Sequence, residues 1–190
     1  MRKIVFLIHM SLDGYVAGPN GEMNWIKLGD EMWDYVESIT ADADAAIYGK
    51  NTFKMMEGYW PTAANKPNAS RHDINYSVWA NAAQKIVFSN TLTHSDWGGT
   101  EFLKGDPLEE IQKRKAGPGK NMLMLGSPTL AQEFMRLGLI DEYRLNVNPI
   151  ILGSGKRLFT ENEFPINLEL IESKSFSTGV EALHYNLLTK

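Results

Sequence analysis

With 190 residues, 43% of them hydrophobic and 22% charged, the chain has the make-up of an ordinary globular domain able to bury a core. A net charge of −4 and a pI of about 5.6 exclude a strongly basic nucleic-acid-binding face. The absence of cysteine excludes disulfides and thiolate metal sites, and it fits a reducing compartment, so a cytoplasmic location is expected. No stretch approaches the roughly 18 apolar residues of a membrane span. The opening MRKIVFLIHMSLDG is too short in its apolar part for a secretory leader. One domain over 1–190 is expected, without repeats or a linker.

Taken in chain order, Ile4 to Ile8 is a continuous apolar run, the pattern of a strand buried on both faces. A glycine-rich loop, Met10 to Trp25, follows. GDEMWDYVESI has helical spacing at Met32, Trp33, Val36 and Ile39. DAAIYG predicts a short strand, and NTFKMMEGYW a helix stopping around Gly58 and Pro61. Residues 61–77 are polar and turn-rich and are expected to be a surface loop, with a possible helix over Tyr76 to Ala83. KIVFS and the weaker TEFLK predict strands. DPLEEIQKRKA predicts a helix with Asp106 as N-cap and Pro107 at its first position. NMLMLG predicts a strand, and SPTLAQEFMRLG a helix with Ser127 as N-cap and Gly138 as its stop. DEYRLNVNPIIL predicts a strand and GSGK a tight turn. The end predicts a β-hairpin turning at Ser177 to Gly179. The alternation of strands and helices argues for an α/β protein: a mainly parallel sheet with an antiparallel edge.

Parallel α/β sheets bind ligands at the carboxyl ends of their strands. Four strand-to-helix junctions, HMSLDG, YGKNT, FSNT and LGSPT, are rich in small and hydroxylated residues. Gly49 and Gly126 sit where helices begin, which suits a phosphate. Lys50, Thr52, Ser89, Thr91 and Ser127 could add contacts. His9, at the end of the first strand, is a candidate ligand contact. His72 and His94 are expected to face solvent and His184 to be structural, and the four histidines lack metal spacing. Asp13 in the glycine loop and Asp30 at the start of the first helix are the candidate proton-handling acids.

In order and spacing, MSLDGYVAGPNGEMNW, AIYGKNTFKMMEGYWP, KIVFSNTL, MLGSPTLAQEFMRLGLIDEYRLNVNPIILGSGKRLF and FSTGVEALHY resemble the dihydrofolate-reductase-like superfamily. The similarity is greatest to the C-terminal reductase domain of the bifunctional riboflavin-biosynthesis deaminase-reductase. It covers essentially the whole chain, without a deaminase domain or zinc motif. The resemblance implies a mixed sheet flanked by helices, with NADPH across the strand ends. It implies that Gly49, Lys50, Asn51 and Thr52 hold the adenosine-side phosphates, where the family usually has arginine in place of Lys50. That leaves NADPH against NADH open. It implies that Ser89, Asn90 and Thr91 contact the adenosine ribose. Leu125, Gly126, Ser127, Thr129 and Leu130 would lie at the pyrophosphate. Met10 to Trp25, with Ala17 and Gly18, matches a mobile loop that closes over the nicotinamide. Trp25, Asp30 and Trp33 match the spacing of a pterin-binding acid between two tryptophans, whereas riboflavin-type reductases look to Asp13. His9, Trp33 and Phe53 are the implied substrate contacts. The implied function is reduction of a pterin-like or pyrimidine-like heterocycle by a homodimer. The alternative is a nucleotide-binding module without catalysis.

Overall fold

A computed structural model of the chain describes residues 1–160 and 165–188. In chain order its elements are β1 (Ile4–Ser11), β2 (Tyr15–Ala17), α1 (Asp30–Ala41), β3 (Ala43–Gly49), α2 (Lys50–Glu57), α3 (Arg71–Ala82), β4 (Gln84–Phe88) and β5 (Thr100–Leu103). They continue with α4 (Pro107–Ala116), β6 (Asn121–Leu125), α5 (Pro128–Arg136), β7 (Glu142–Asn148), β8 (Lys156–Arg157), β9 (Leu168–Ser175) and β10 (Glu181–Leu187). Eight strands form one sheet in the order β5-β4-β3-β6-β1-β7-β10-β9, and β2 pairs separately with β8. β10 alone opposes its neighbours; the other paired strands of the large sheet are parallel. The expected mixed, mainly parallel sheet flanked by helices, with a C-terminal antiparallel hairpin, is the observed architecture. The hairpin turns where expected, with Phe176 N–H donating to Val180 O at 3.0 Å.

β1 is apolar throughout because both of its faces are covered. Ile4, Phe6, Ile8 and Met10 pack with Phe134 and Met135 of α5 on one side. Val5 and Leu7 pack on the other side with Met32, Tyr35, Val36 and Ile39 of α1. This puts the carboxyl ends of β3, β6, β1 and β7 side by side along one edge.

The stretch expected as a surface loop is largely helical. A 3₁₀ turn spans Trp60–Asn65, and α3 begins at Arg71. Ser70 caps α3: its hydroxyl accepts from Asp73 N at 3.0 Å, while its own N–H donates to Asp73 Oδ2 at 2.9 Å. The possible helix over Tyr76 to Ala83 is the second half of α3; its first half was expected as loop because the buried face mixes His72, Tyr76, Ser77 and Ala80. Its far end is closed by Lys85, which is fully buried and donates to Ala80 O and Asn81 O, each at 3.0 Å. Burial pushes the Lys85 ammonium down to about 8.

His72, expected at the surface, is only 7% exposed. Its Nδ1 lies 2.7 Å from Glu37 Oε1 and its ring stacks on Trp33 at 6.0 Å, which docks α3 on α1. His94, as expected, is exposed. The strand expected over 141–152 ends at Asn148, because Pro149 has no N–H to continue the ladder.

Candidate functional site

β3 and β6 are parallel neighbours, so the helices that follow them start side by side. Neither start has a side-chain cap: α2 follows Gly49 and α5 follows Ser127 bare. Ser127 holds the expected N-cap position of α5, but its side chain makes no cap hydrogen bond there. Gly126 and Ser127 are consecutive left-handed residues (φ 54° and 53°), which carries the Ser127 side chain across to the neighbouring junction. There its hydroxyl accepts from Gly49 N at 2.7 Å, and its own N–H donates to Thr52 Oγ1 at 3.0 Å. The two junctions are thus stitched together, and the first-turn amides of both helices have no side-chain oxygen on them. Lys50 and Asn51 stand exposed beside them, as does Thr129. Leu130 packs over Gly49, whose Cβ would lie 3.8 Å from the Leu130 Cβ. The Leu125 side chain is in the core, leaving only its backbone at this edge.

β4 ends on the same edge. The Ser89 hydroxyl is occupied: it accepts from Thr91 N at 3.2 Å and Leu92 N at 2.9 Å. Asn90 and Thr91 are exposed beyond it.

The glycine loop lies on the other side of the site and is held by the segment 152–158. Asp13 accepts from Ser11 Oγ at 2.7 Å, Leu152 N at 3.0 Å and Gly153 N at 2.7 Å. Some loss of hydration opposes its charge, but these hydrogen bonds outweigh it and bring the carboxyl down to about 2. Asp13 is therefore a firmly ionised latch. Leu158 N–H donates to Gly14 O at 2.9 Å, and β2 pairs with β8. At Gly155 (φ +131°) a Cβ would lie 2.2 Å from Ala17 O, so only glycine fits. The two loops enclose a pocket of about 430 Å³ lined by Ala17, Gly18, Pro19, Gly21, Ser154, Gly155 and Lys156. GSGK, read from the sequence as a turn alone, is one wall of it.

Asp30 is the first residue of α1, and its side chain is 93% exposed, 3.4 Å from His72 Nε2. It has no apolar pocket around it. Trp33 belongs to an aromatic group with Trp60 and Tyr76, each centroid 5.9 Å away. Phe53, expected at the substrate, is corrected: it is 1% exposed and packs on Trp97 and Phe102 within the core. Its aromatic character answers to burial rather than to a ligand. His9 sits at the end of β1, where burial pushes its imidazole down to about 4. Asn146, opposite it on β7, is fully buried and went unnoticed in the sequence because its strand alternates polar and apolar residues like any half-solvated strand. Asp34, Glu37 and His72 bring potential ligand atoms within 4.8 Å of one another. Arg71 already pairs with both carboxylates, at 2.5 Å and 3.8 Å, so this group reads as helix docking.

The sequence is similar to known proteins over its whole length. It is 32% identical to the uncharacterized protein YyaP of Bacillus subtilis (strain 168), covering 97% of this chain and 95% of that one. Among solved structures, a putative riboflavin biosynthesis protein from Shewanella sp. PV-4 aligns over 100% of both chains, with 25% identity and a TM-score of 0.76. Dihydrofolate reductase from Enterococcus faecalis, solved with NADP(H), aligns over 97% of this chain and 96% of its own, with 13% identity and a TM-score of 0.63. That likeness shows a dihydrofolate-reductase-like fold. The sequence pattern of the RibD C-terminal domain matches residues 2–182, and the chain belongs to that family.

Proposed function

We propose that the protein is an NADPH-dependent reductase acting on a C=N or C=O bond of a pterin-like or pyrimidine-like heterocycle. The observation that carries this reading is the stitched pair of uncapped helix starts beside the glycine-walled pocket. Bare first-turn amides and the positive helix ends favour a pyrophosphate. In this reading Gly49 to Thr52, with the Lys50 charge, hold the adenosine-side phosphates. Asn90 and Thr91 reach the ribose, with Ser89 shaping their turn. Gly126, Ser127, Thr129 and the Leu125 and Leu130 backbones hold the pyrophosphate. Ala17 and Gly18 offer backbone groups at the nicotinamide, where bound NADPH would supply a hydride. Asp13 fixes the loop that excludes water. Asp30 is left to guide the proton, with Trp33 nearby. The exposed Leu170 and Ile171 on the edge strand β9 support a homodimer through the late strands. Among the described residues no helix is long and apolar enough to cross a membrane.

One observation favours a second reading. Asp13 is held ionised by its hydrogen bonds, and Asp30 is open to water with no apolar pocket around it. A nucleotide-binding module without turnover fits that chemistry. Titration of NADPH and NADH, followed by tryptophan quenching and calorimetry, tests the shared part. Micromolar binding of NADPH is expected, and binding of neither would overturn both readings. NADPH consumption with dihydrofolate or pyrimidine substrates then separates reductase from binder. Asp30→Asn is expected to lower turnover while leaving NADPH affinity unchanged.

A further inference from the structure

We infer that His9 and Asn146 form a polar floor that reads the lactam edge of the substrate, an inference that rests on the reductase reading above. The two residues are direct partners in the parallel β1–β7 register, and Asn146 is level with Ala182 of β10. By strand alternation both face the side of the sheet that carries α1, together with Val5 and Leu7. Their immediate neighbours on the opposite face, Ile8, Met10, Leu145 and Val147, are all apolar. A purely structural strand pair at this depth would be expected to be apolar on both faces.

The polar pair is also incompletely satisfied. Asn146 Nδ2 lies 3.4 Å from His9 Nε2, but Asn146 Oδ1 and His9 Nδ1 are buried without partners. Buried polar groups ordinarily have partners, and leaving them without costs stability. Asn148, one alternation further along β7, shows the contrast. Its Oδ1 accepts from Lys27 N at 2.8 Å, and its Nδ2 donates to Asn146 O at 3.2 Å. Nearer the other end of the strand, Arg144 and His184 each lie 3.3 Å from Glu142 Oε2, a charged group of their own. His9 and Asn146 combine unmet capacity with adjacent places near the carboxyl ends of two neighbouring strands, β1 and β7, where ligands of parallel sheets bind.

The chemistry of the vacant atoms is specific. With Asn146 Nδ2 donating to Nε2, the proton of a neutral His9 lies on Nδ1, an unmet donor. Asn146 Oδ1 is an unmet acceptor. The complement is a carbonyl beside an N–H, the edge of a pterin or pyrimidinone lactam. An unsubstituted pteridine has ring-nitrogen acceptors and no N–H, so it would leave Asn146 Oδ1 unmet. A site built to hydrogen-bond one edge rejects the mismatched one strongly, because its own buried groups are then left unpaired.

The experiment compares wild type, Asn146→Leu and His9→Phe by calorimetry. NADPH is titrated first, then pterin and unsubstituted pteridine are titrated into the NADPH-loaded proteins. Wild type is expected to bind pterin about tenfold or more tighter than pteridine. Either substitution is expected to abolish that preference while leaving NADPH affinity unchanged. Asn146→Leu is also expected to melt no lower than wild type, since it removes an unpaired polar group. If one variant fails to fold, the other carries the test. Equal binding of the two probes by wild type, no binding of either, or a preference that survives both substitutions would overturn the inference. Loss of NADPH binding in wild type would instead strike the reductase reading, and the two probes titrated into the cofactor-free protein would then decide the lactam preference alone.

Discussion

Helices α3 and α4 begin on side-chain caps, whereas α2 and α5 begin on none. Ser70 and Asp73 close the start of α3, and Asp106 accepts from Leu108 N at 2.8 Å at the start of α4. At α2 and α5 the hydroxyls of Ser127 and Thr52 are spent on joining the two junctions to each other. The capped helices have their first-turn amides served by the chain itself. The first-turn amides of α2 and α5, like those of α1, have no side-chain cap on them. A helix start can be closed by a side-chain cap or left open, where its amides and positive end suit an anion, and this molecule has both kinds.

The strongest way to break the comparison is at the wall of the pocket. Gly155→Ala places a Cβ 2.2 Å from Ala17 O at φ +131°. A loss of about 3 kcal/mol in urea unfolding is expected, together with loss of NADPH binding. Unchanged stability would mean that the two loops do not hold each other.

Acid titration should expose the same side of the molecule. The His9 imidazole is lowered by burial from 6.5 to about 4. The unfolded chain takes up this proton below its ordinary value and the folded chain does not. Stability is therefore full above that value and falls as pH drops toward 4, by roughly 3 kcal/mol from this group. His9→Phe should remove the His9 part of the slope, leaving that of His184 and, below about pH 5, that of the lowered carboxylates such as Asp13 and Glu37.

Ser127→Ala should sharpen the comparison. It leaves Gly49 N–H without its partner and removes one of the two hydrogen bonds that join the junctions, so NADPH affinity should fall about tenfold and stability by about 1 kcal/mol. Ser70→Ala is the control on the capped side. It should cost about 1 kcal/mol of stability and leave NADPH affinity unaltered. Equal losses of affinity in these two variants would erase the distinction between the helix starts.

Much of this was legible in the sequence. The Ile4 to Ile8 run required a strand covered on both faces, and Asp106-Pro107 marked the start of α4 with local chemistry alone. Gly49 and Gly126 flagged the two stitched junctions because glycine at a strand-to-helix junction is a local signal. The start of α3 was read as loop although Ser70 and Asp73 carry a capping-box spacing, because its buried face includes His72 and Ser77 and lacks an apolar stripe. Phe53 looked like a ligand contact because an aromatic side chain has the same composition signal in a core as in a pocket.

The sequence by itself determined which segments become strands and helices and where their junctions fall. Those properties depend on neighbouring residues: apolar period, caps, and glycine or proline at turns. Only the tertiary structure decided what the junctions do. The Ser127 hydroxyl meets an amide 78 residues earlier in the chain, and Asp13 latches a loop 140 residues later. His9 acquired its unmet partner Asn146 only through strand pairing across 137 residues. No local pattern encodes such meetings, because they are fixed by which strands the packed core sets side by side.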